Sequence, residues 1–164
     1  MRAITVAMFV LTSFIGSLAQ APNTSSSKDS KGAPVDRAYL QSIWDGWGAA
    51  DIEKQAKFYV QGPGHLFFDV APLKYESWQE YRDGVAPSLK DAPKVTFTLN
   101  DDLQIHPAGA YTWVASTLTM SGNSPQGEKE TLQLRWTAVL ERQDGRWLIT
   151  HEHVSAPAEV PTQP

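Results

Sequence analysis

The chain has 164 residues, of which 41% are hydrophobic and 20% are charged. This size suits one compact domain with a substantial core. The formal net charge is −4 and no run of Lys or Arg occurs, which argues against nucleic-acid binding. The chain contains no cysteine. Disulfides, thiolate metal sites, cysteine nucleophiles and a lipoprotein anchor are therefore excluded.

Residues 1–19 are predicted to be a cleaved signal peptide. Arg2 precedes an apolar stretch that ends in small residues, and cleavage is expected after Ala19 or, alternatively, after Ala21. A permanent membrane anchor is the other interpretation, but the stretch is short and interrupted by hydroxyl residues. We therefore expect a periplasmic or secreted protein.

The rest of the chain is predicted to have three parts. Residues 20–34 are polar and rich in Ser, Lys and Pro, which is typical of a disordered linker. Residues 35–157 form the folded domain. Residues 158–164 form a flexible, proline-containing tail.

Three helices are predicted in the first half of the domain. Asp36 is the expected N-cap of the first helix, and Asp51 can cap the second. Ser77 and Glu80 have capping-box spacing at the start of the third, which Pro87 should end or kink. The apolar stripe of the first helix follows the i, i+3, i+4, i+7 pattern. Its residues are Leu40, Ile43, Trp44 and Trp47.

Alternating strands are predicted in the second half. HLFFDV reads as a short strand before the third helix, and LQIH continues the strand KVTFTL beyond a bulge. Three longer strands follow, and Asp144 with Gly145 makes the last hairpin. These longer strands are AYTWVASTLTM, ETLQLRWTAVLE and RWLITHEHVS. The order predicts an α+β domain, a curved antiparallel sheet with helices packed on one face.

This element order resembles the cone-shaped nuclear transport factor two-like superfamily. The segment AADIEKQAKFY, after a tryptophan-rich first helix, is similar to the corresponding part of that fold. The ending DGRWLITHEHVSAP is similar to SnoaL-like domains and to the association (hub) domain of calcium/calmodulin-dependent protein kinase. The resemblance covers residues 35–157 and implies three helices on the concave face of the curved antiparallel sheet. Enzymes, binding proteins and assembly modules share this fold, so the resemblance implies no single activity.

The resemblance to ketosteroid isomerases gives one candidate base. Asp69, in FFDVAP, lies where that family carries its carboxylate base. The two oxyanion donors do not carry over, because their positions fall at Ile43 and Thr137. Asp69 is alternatively a loop or helix-cap carboxylate.

His151 and His153 are the second candidate. Residues i and i+2 of a strand share a face, so both histidines should stand with Ile149 and Ser155, whereas Glu152 points the other way. One interpretation is an acid–base site of Asp69 and His153, in which Asp69 or Glu152 orients the histidine. The other is a structural histidine beside one at a subunit interface.

A metal site is the remaining interpretation of the histidine pair. It would need a third ligand, with His65, His106 and Asp69 as the candidates. The hub resemblance favours the structural interpretation, so we expect neither a metal nor another cofactor.

A cavity between helices and sheet is expected from the cone fold. Arg135 could pair there with a ligand carboxylate, although charged residues in such strands usually face solvent. The predicted pocket residues are Trp44, Phe67, Tyr81, Trp113, Arg135, Thr137 and His151.

Three functions remain open from the sequence. The favoured one is an exported, homodimeric binding or accessory protein for a small, largely apolar molecule. The alternative is an isomerase, cyclase or hydro-lyase that uses Asp69 and His153 as acid and base. The third is a hub-like oligomerisation module, in which sheet faces pack together and Trp136 contributes to the contact.

Overall fold

The computed structural model describes residues 33–90, 94–124 and 126–158. The predicted signal peptide, most of the linker and most of the tail lie outside these residues. Within the described part, no helix is long and apolar enough to cross a membrane. The elements combine helices with one sheet, which confirms the predicted α+β class.

The helices are α1 (Arg37–Gly48), α2 (Ile52–Gln55) and α3 (Trp78–Lys90), and a 3-10 turn follows α2 at Ala56–Phe58. The strands are β1 (Pro63–Phe68), β2 (Tyr75–Ser77), β3 (Thr96–Leu99), β4 (Gln104–Ala108), β5 (Tyr111–Asn123), β6 (Lys129–Gln143) and β7 (Arg146–Ser155). The sequence analysis did not predict β2, which has only three residues.

Polar side chains cap the helices at the predicted positions. Asp36 accepts the Tyr39 N–H at 2.8 Å, and Ser77 accepts the Glu80 N–H at 3.1 Å. The sequence predicts that Pro87 ends or kinks α3, and the first alternative is wrong because the helix continues to Lys90, whereas the kink stays a prediction. Position 87 is exposed, so the ring needs no room in the core and water can solvate the carbonyl it frees.

The sheet is curved, unclosed and mixed rather than wholly antiparallel. Its strand order is β2-β1-β7-β6-β5-β3, and β4 also pairs with β5. β1 runs parallel to β7, with Phe67 opposite Glu152. The predicted all-antiparallel sheet is thus corrected at this one pair. Most of the domain separates the two strands in sequence, so no hairpin fixes their relative direction.

Buried and exposed residues alternate along β6 and so identify the two faces of the sheet. The inner face packs against the helices and carries the buried residues Leu134, Trp136, Ala138 and Leu140. Trp136 is therefore a core residue, and the expectation that it contributes to a subunit contact is wrong. Arg135 and Thr137 lie on the outer face and are exposed.

A bulge in β7 decides which residues face the core. His151 pairs with Val139 but Ile149 pairs with Leu140, so Thr150 is the extra residue. The bulge turns Ile149 to the inner face, and the prediction that it shares a face with the histidines is wrong. Glu152 and Val154 also point inward and are buried, whereas His151 and His153 point outward.

Candidate functional site

A cavity of about 420 Å³ lies between the helices and the inner face of the sheet. Trp44 and Trp47 of α1 form one wall, and Tyr81 and Val85 of α3 form another. Side chains of β3, β5, β6 and β7 close the third side. They are Phe97, Met120, Leu132, Leu134 and Val154.

The end of α1 approaches the chain before β3 closely. A Cβ on Gly48 would stand 2.6 Å from the Val95 carbonyl oxygen, so only glycine fits without a backbone shift. Both residues line the cavity. The glycine therefore sets how near this end of α1 lies to the sheet at the cavity.

Asp69 is the acidic residue in the cavity lining. It follows β1 directly, and its Oδ1 accepts the Val70 N–H at 2.7 Å. Desolvation raises the pKa of this carboxyl, and the Val70 hydrogen bond partly offsets the rise. None of the described residues that line the cavity is Lys, Arg or His. Asp69 is thus a half-buried acid without a cationic partner in the cavity.

Behind Tyr81 lies a buried polar cluster centred on Glu152. The Tyr59 hydroxyl donates to the Glu152 carboxylate at 2.9 Å, and the Tyr81 hydroxyl donates to its Oε1 at 3.2 Å. The Trp47 indole N–H donates to the Tyr59 oxygen at 3.1 Å. Glu152 has 0% exposure. Because Tyr81 lines the cavity, it joins this cluster to the cavity wall.

Burial dominates the acidity of Glu152. Desolvation raises its pKa from 4.5 to about 7, and the nearby negative charge of Asp69 adds to the rise. The hydrogen bonds from Tyr59 and Tyr81 lower the pKa, as does the nearby Trp136 indole, although its N–H lies outside normal hydrogen-bond geometry. Near neutral pH the group can therefore exist in both protonation states.

Both tyrosines are held by aromatic packing. Tyr59 stacks on Trp78 with ring centroids 4.3 Å apart, and Tyr81 stacks on Tyr75 at 4.9 Å. Burial, followed by the charge of Glu152, raises the pKa of each tyrosine well above its usual value. Both hydroxyls therefore stay protonated and act as donors.

The strand register explains how a carboxyl side chain fits here. Glu152 lies between Phe67 of β1 and Ala138 of β6. Ala138 is small and fully buried, so it leaves room on the inner face for the longer side chain. The bulge at Thr150 shifts the alternation of β7 by one residue, so that both Ile149 and Glu152 face inward.

Some residues predicted for the pocket line the cavity and others do not. Trp44 and Tyr81 line it, and Phe67 lies one layer behind, 5.6 Å from the Tyr81 ring. The other four lie on the outer face of the sheet, the opposite side from the cavity. They are Trp113, Arg135, Thr137 and His151.

The two outer-face histidines have structural contacts. His151 Nδ1 lies 2.7 Å from the Leu66 carbonyl oxygen, which ties β7 to β1. His153 is exposed, and its ring packs edge-on against Phe68 at 5.7 Å. His153 and Asp69 both line a shallow depression beside residues 68–73, which adjoins the main cavity at Asp69 and Val70. The acid–base role of this pair remains a prediction.

The proposed metal site at His151 and His153 lacks a third ligand among the described residues. Across residues 33–90, 94–124 and 126–158, no group of three or more His, Asp or Glu side chains could hold a metal ion. His106 instead stacks on Trp113, with ring centroids 3.8 Å apart.

Sequence reasoning missed the cluster of Tyr59, Tyr81 and Glu152. A signal for Glu152 was present, since it shares a strand face with the apolar Val154 rather than with the histidines. Nothing in the spacing could join it to the tyrosines, which are 93 and 71 residues away.

These observations define a cone-shaped α+β domain with an internal, mainly apolar cavity. A family model described as "SnoaL-like domain" matches residues 38–159, so the chain belongs to the SnoaL-like domain family. The resemblance found in the sequence is thereby confirmed. Comparison with curated proteins finds no match.

Solved structures share the fold at low identity. A candidate calcium/calmodulin-dependent protein kinase II association domain from Xanthomonas campestris is 24% identical, with a TM-score of 0.59 over 77% of this chain and 91% of that one. A nuclear transport factor 2-like superfamily protein from Salmonella enterica is 16% identical, with a TM-score of 0.63 over 75% and 92%. A candidate dehydratase of the same family from Streptomyces avermitilis is 14% identical, with a TM-score of 0.65 over 75% and 95%.

Proposed function

We propose that this domain binds a small, largely apolar molecule in the cavity between its helices and sheet. The observation that carries the proposal is the cavity itself, about 420 Å³ and lined mainly by aromatic and aliphatic side chains. Pockets for small molecules usually have roughly 300–1,000 Å³ and a few polar groups that orient the ligand. Asp69 is the polar group best placed to do so.

The aromatic side chains that form the cavity walls are packed in fixed positions, which favours a preformed binding site. Trp44 packs edge-on against Trp136 at 5.4 Å, and Trp47 contacts the Tyr81 ring at 5.5 Å. Both tryptophans are buried, so little side-chain entropy remains to be lost when a ligand enters. A rigid apolar cavity of this kind supports binding without prior rearrangement.

Binding is tested with the neutral, apolar dye Nile red. We expect its fluorescence to rise and saturate with the wild-type domain. In Val85→Trp the larger side chain fills the cavity from α3, and we expect the affinity to fall at least about tenfold, equivalent to about 1.4 kcal/mol. Fluorescence titration gives both dissociation constants.

Gln79→Trp is the matched control for this substitution. Position 79 is exposed on the same helix, so an added indole there leaves the cavity unchanged. We expect wild-type affinity in the control. Equal dye affinity in Val85→Trp and the wild type would place the dye elsewhere and contradict the proposal.

We further propose that the chain is exported and assembles as a homodimer or larger homo-oligomer. The N-terminal pattern supports export, and the association-domain structure from Xanthomonas campestris supports assembly by analogy of fold. The outer face of the sheet offers a surface for contact, because Tyr111 and Trp113 are 46% and 43% exposed there. The mass of the complex distinguishes a dimer from a hub-like ring, because the two contain different numbers of chains.

Native mass spectrometry of the protein recovered from a bacterial periplasm tests both parts. We expect a subunit that lacks residues 1–19 or 1–21, in a complex of two or more copies. Trp113→Lys should shift the complex towards single chains, whereas Lys129→Ala at the far end of the sheet should not. An uncleaved subunit would contradict export, and a single-chain mass for the wild type would contradict assembly.

A further inference from the structure

We propose that the preferred ligands of the cavity are small organic cations, namely apolar molecules that carry one ammonium group. This inference rests on the proposed binding function and specifies the ligand class. It is carried by the charges and rings of the lining, which combine one carboxylate with several aromatic faces and no cationic side chain.

The Asp69 carboxylate has no positively charged side chain paired with it in the described part of the chain. Asp69 is half-buried in an apolar wall, and its hydrogen bond comes from the neighbouring Val70 N–H. No Lys or Arg of the described chain forms an ion pair with it. A partly desolvated carboxylate without a counter-charge is costly, and a bound cation would offset that cost.

The rings supply the second half of the recognition. Trp44, Trp47, Tyr81 and Phe97 line the same cavity as Asp69. Aromatic faces attract ammonium groups through the ring quadrupole, most strongly for tryptophan and when water is excluded. The same rings accept the apolar remainder of the ligand, so a molecule with one cationic and one hydrocarbon part satisfies the whole lining.

Glu152 adds to the negative character of this region. It lies behind Tyr81, and its pKa is raised mainly by burial and further by the nearby charge of Asp69, so the two carboxylates are close enough for their charges to interact. An anionic ligand would meet this field without any basic residue in the lining to pair with. A neutral ligand would leave Asp69 without a counter-charge.

The test compares two probes of the same shape. Phenethyltrimethylammonium carries a quaternary nitrogen, and (3,3-dimethylbutyl)benzene has carbon in its place. Each is titrated at pH 8 into the wild-type domain loaded with Nile red. We expect the cation to displace the dye at a concentration at least about tenfold lower than its neutral isostere, in keeping with a cation–π and charge contribution of about 1.4 kcal/mol or more.

Variants assign the preference to the carboxylate. Asp69→Asn should bring the two probes within about threefold of each other, and Asp69→Glu should retain a preference for the cation. Asp101→Asn removes an exposed aspartate near the opposite end of α1 and should leave the wild-type ratio unchanged. Dye binding by each variant shows that its cavity is intact.

The outcomes separate this inference from the function on which it rests. Equal binding of the two probes, or failure of both to displace a bound dye, overturns the cation preference and leaves the cavity as an apolar binding site. An unchanged ratio in Asp69→Asn also overturns it. If Nile red itself does not bind, the binding function fails and the cation preference fails with it.

Discussion

Glu152→Gln should remove most of the pH dependence of stability between about pH 5 and pH 8. In the folded protein the pKa of this buried carboxyl is raised from 4.5 to about 7. Between these values the folded state binds more protons than the unfolded state, so stability must fall as the pH rises through the window. For a fully buried group, a shift of this size corresponds to about 3 kcal/mol.

The substitution keeps the size of the side chain and removes its titration. An amide can accept one tyrosine hydrogen and donate to the other hydroxyl, so the cluster remains mostly hydrogen-bonded. We therefore expect Glu152→Gln to lose little stability at pH 5 and to exceed the wild type at pH 8. The free energy of unfolding from urea titrations at pH 5, 6, 7 and 8 measures the difference.

Glu130→Gln provides the matched control. Glu130 is exposed on β6, so its replacement should leave the slope of stability against pH at the wild-type value. If Glu152→Gln followed the same slope as the wild type, the carboxyl would not titrate in this window and its burial would not dominate its acidity.

The helices and the strands could largely be predicted because their signals are local. The Asp36 cap and the apolar stripe of α1 lie within one segment, and so does the alternation of β6. The direction of β1 and the bulge at Thr150 could not be predicted in this way. Both depend on which strands pair and in what register, and the alternation of apolar and polar residues within a single strand does not specify its partner.

The candidate site could be predicted only in part for the same reason. Trp44 and Tyr81 lie on apolar helix faces, and their position at the cavity follows from the cone fold. Arg135 and Thr137, which the sequence analysis predicts for the pocket, alternate with the buried Leu134 and Trp136 and therefore face the outer side of the sheet. The Glu152 cluster needed the register of β7 against β1, which only the folded chain provides.

Tyr59→Phe should be among the most destabilising single-atom deletions in this domain. The Tyr59 hydroxyl donates to both carboxylate oxygens of Glu152, at 2.9 and 3.2 Å, and accepts the Trp47 N–H at 3.1 Å. Its loss removes a hydrogen bond to a charged group and leaves a buried indole N–H without a partner. Each effect costs about 1–3 kcal/mol, and we expect a combined loss near 3 kcal/mol at pH 8.

The pH dependence of this loss identifies its cause. At pH 5 Glu152 is mainly protonated, so the Tyr59 hydroxyl there supports a neutral group and its removal should cost less. Tyr81→Phe removes one bond of 3.2 Å and should cost about 1 kcal/mol. In a Glu152→Gln background, the loss for Tyr59→Phe should become nearly independent of pH.

Tyr111→Phe is the matched control for this experiment. Tyr111 also donates to a carboxylate, that of Glu141 at 3.1 Å, but its side chain is 46% exposed. Water replaces the lost partner there, so the substitution should have little effect on the free energy of unfolding at every pH. Equal losses for Tyr59→Phe and Tyr111→Phe would mean that burial adds nothing to the Tyr59–Glu152 bond.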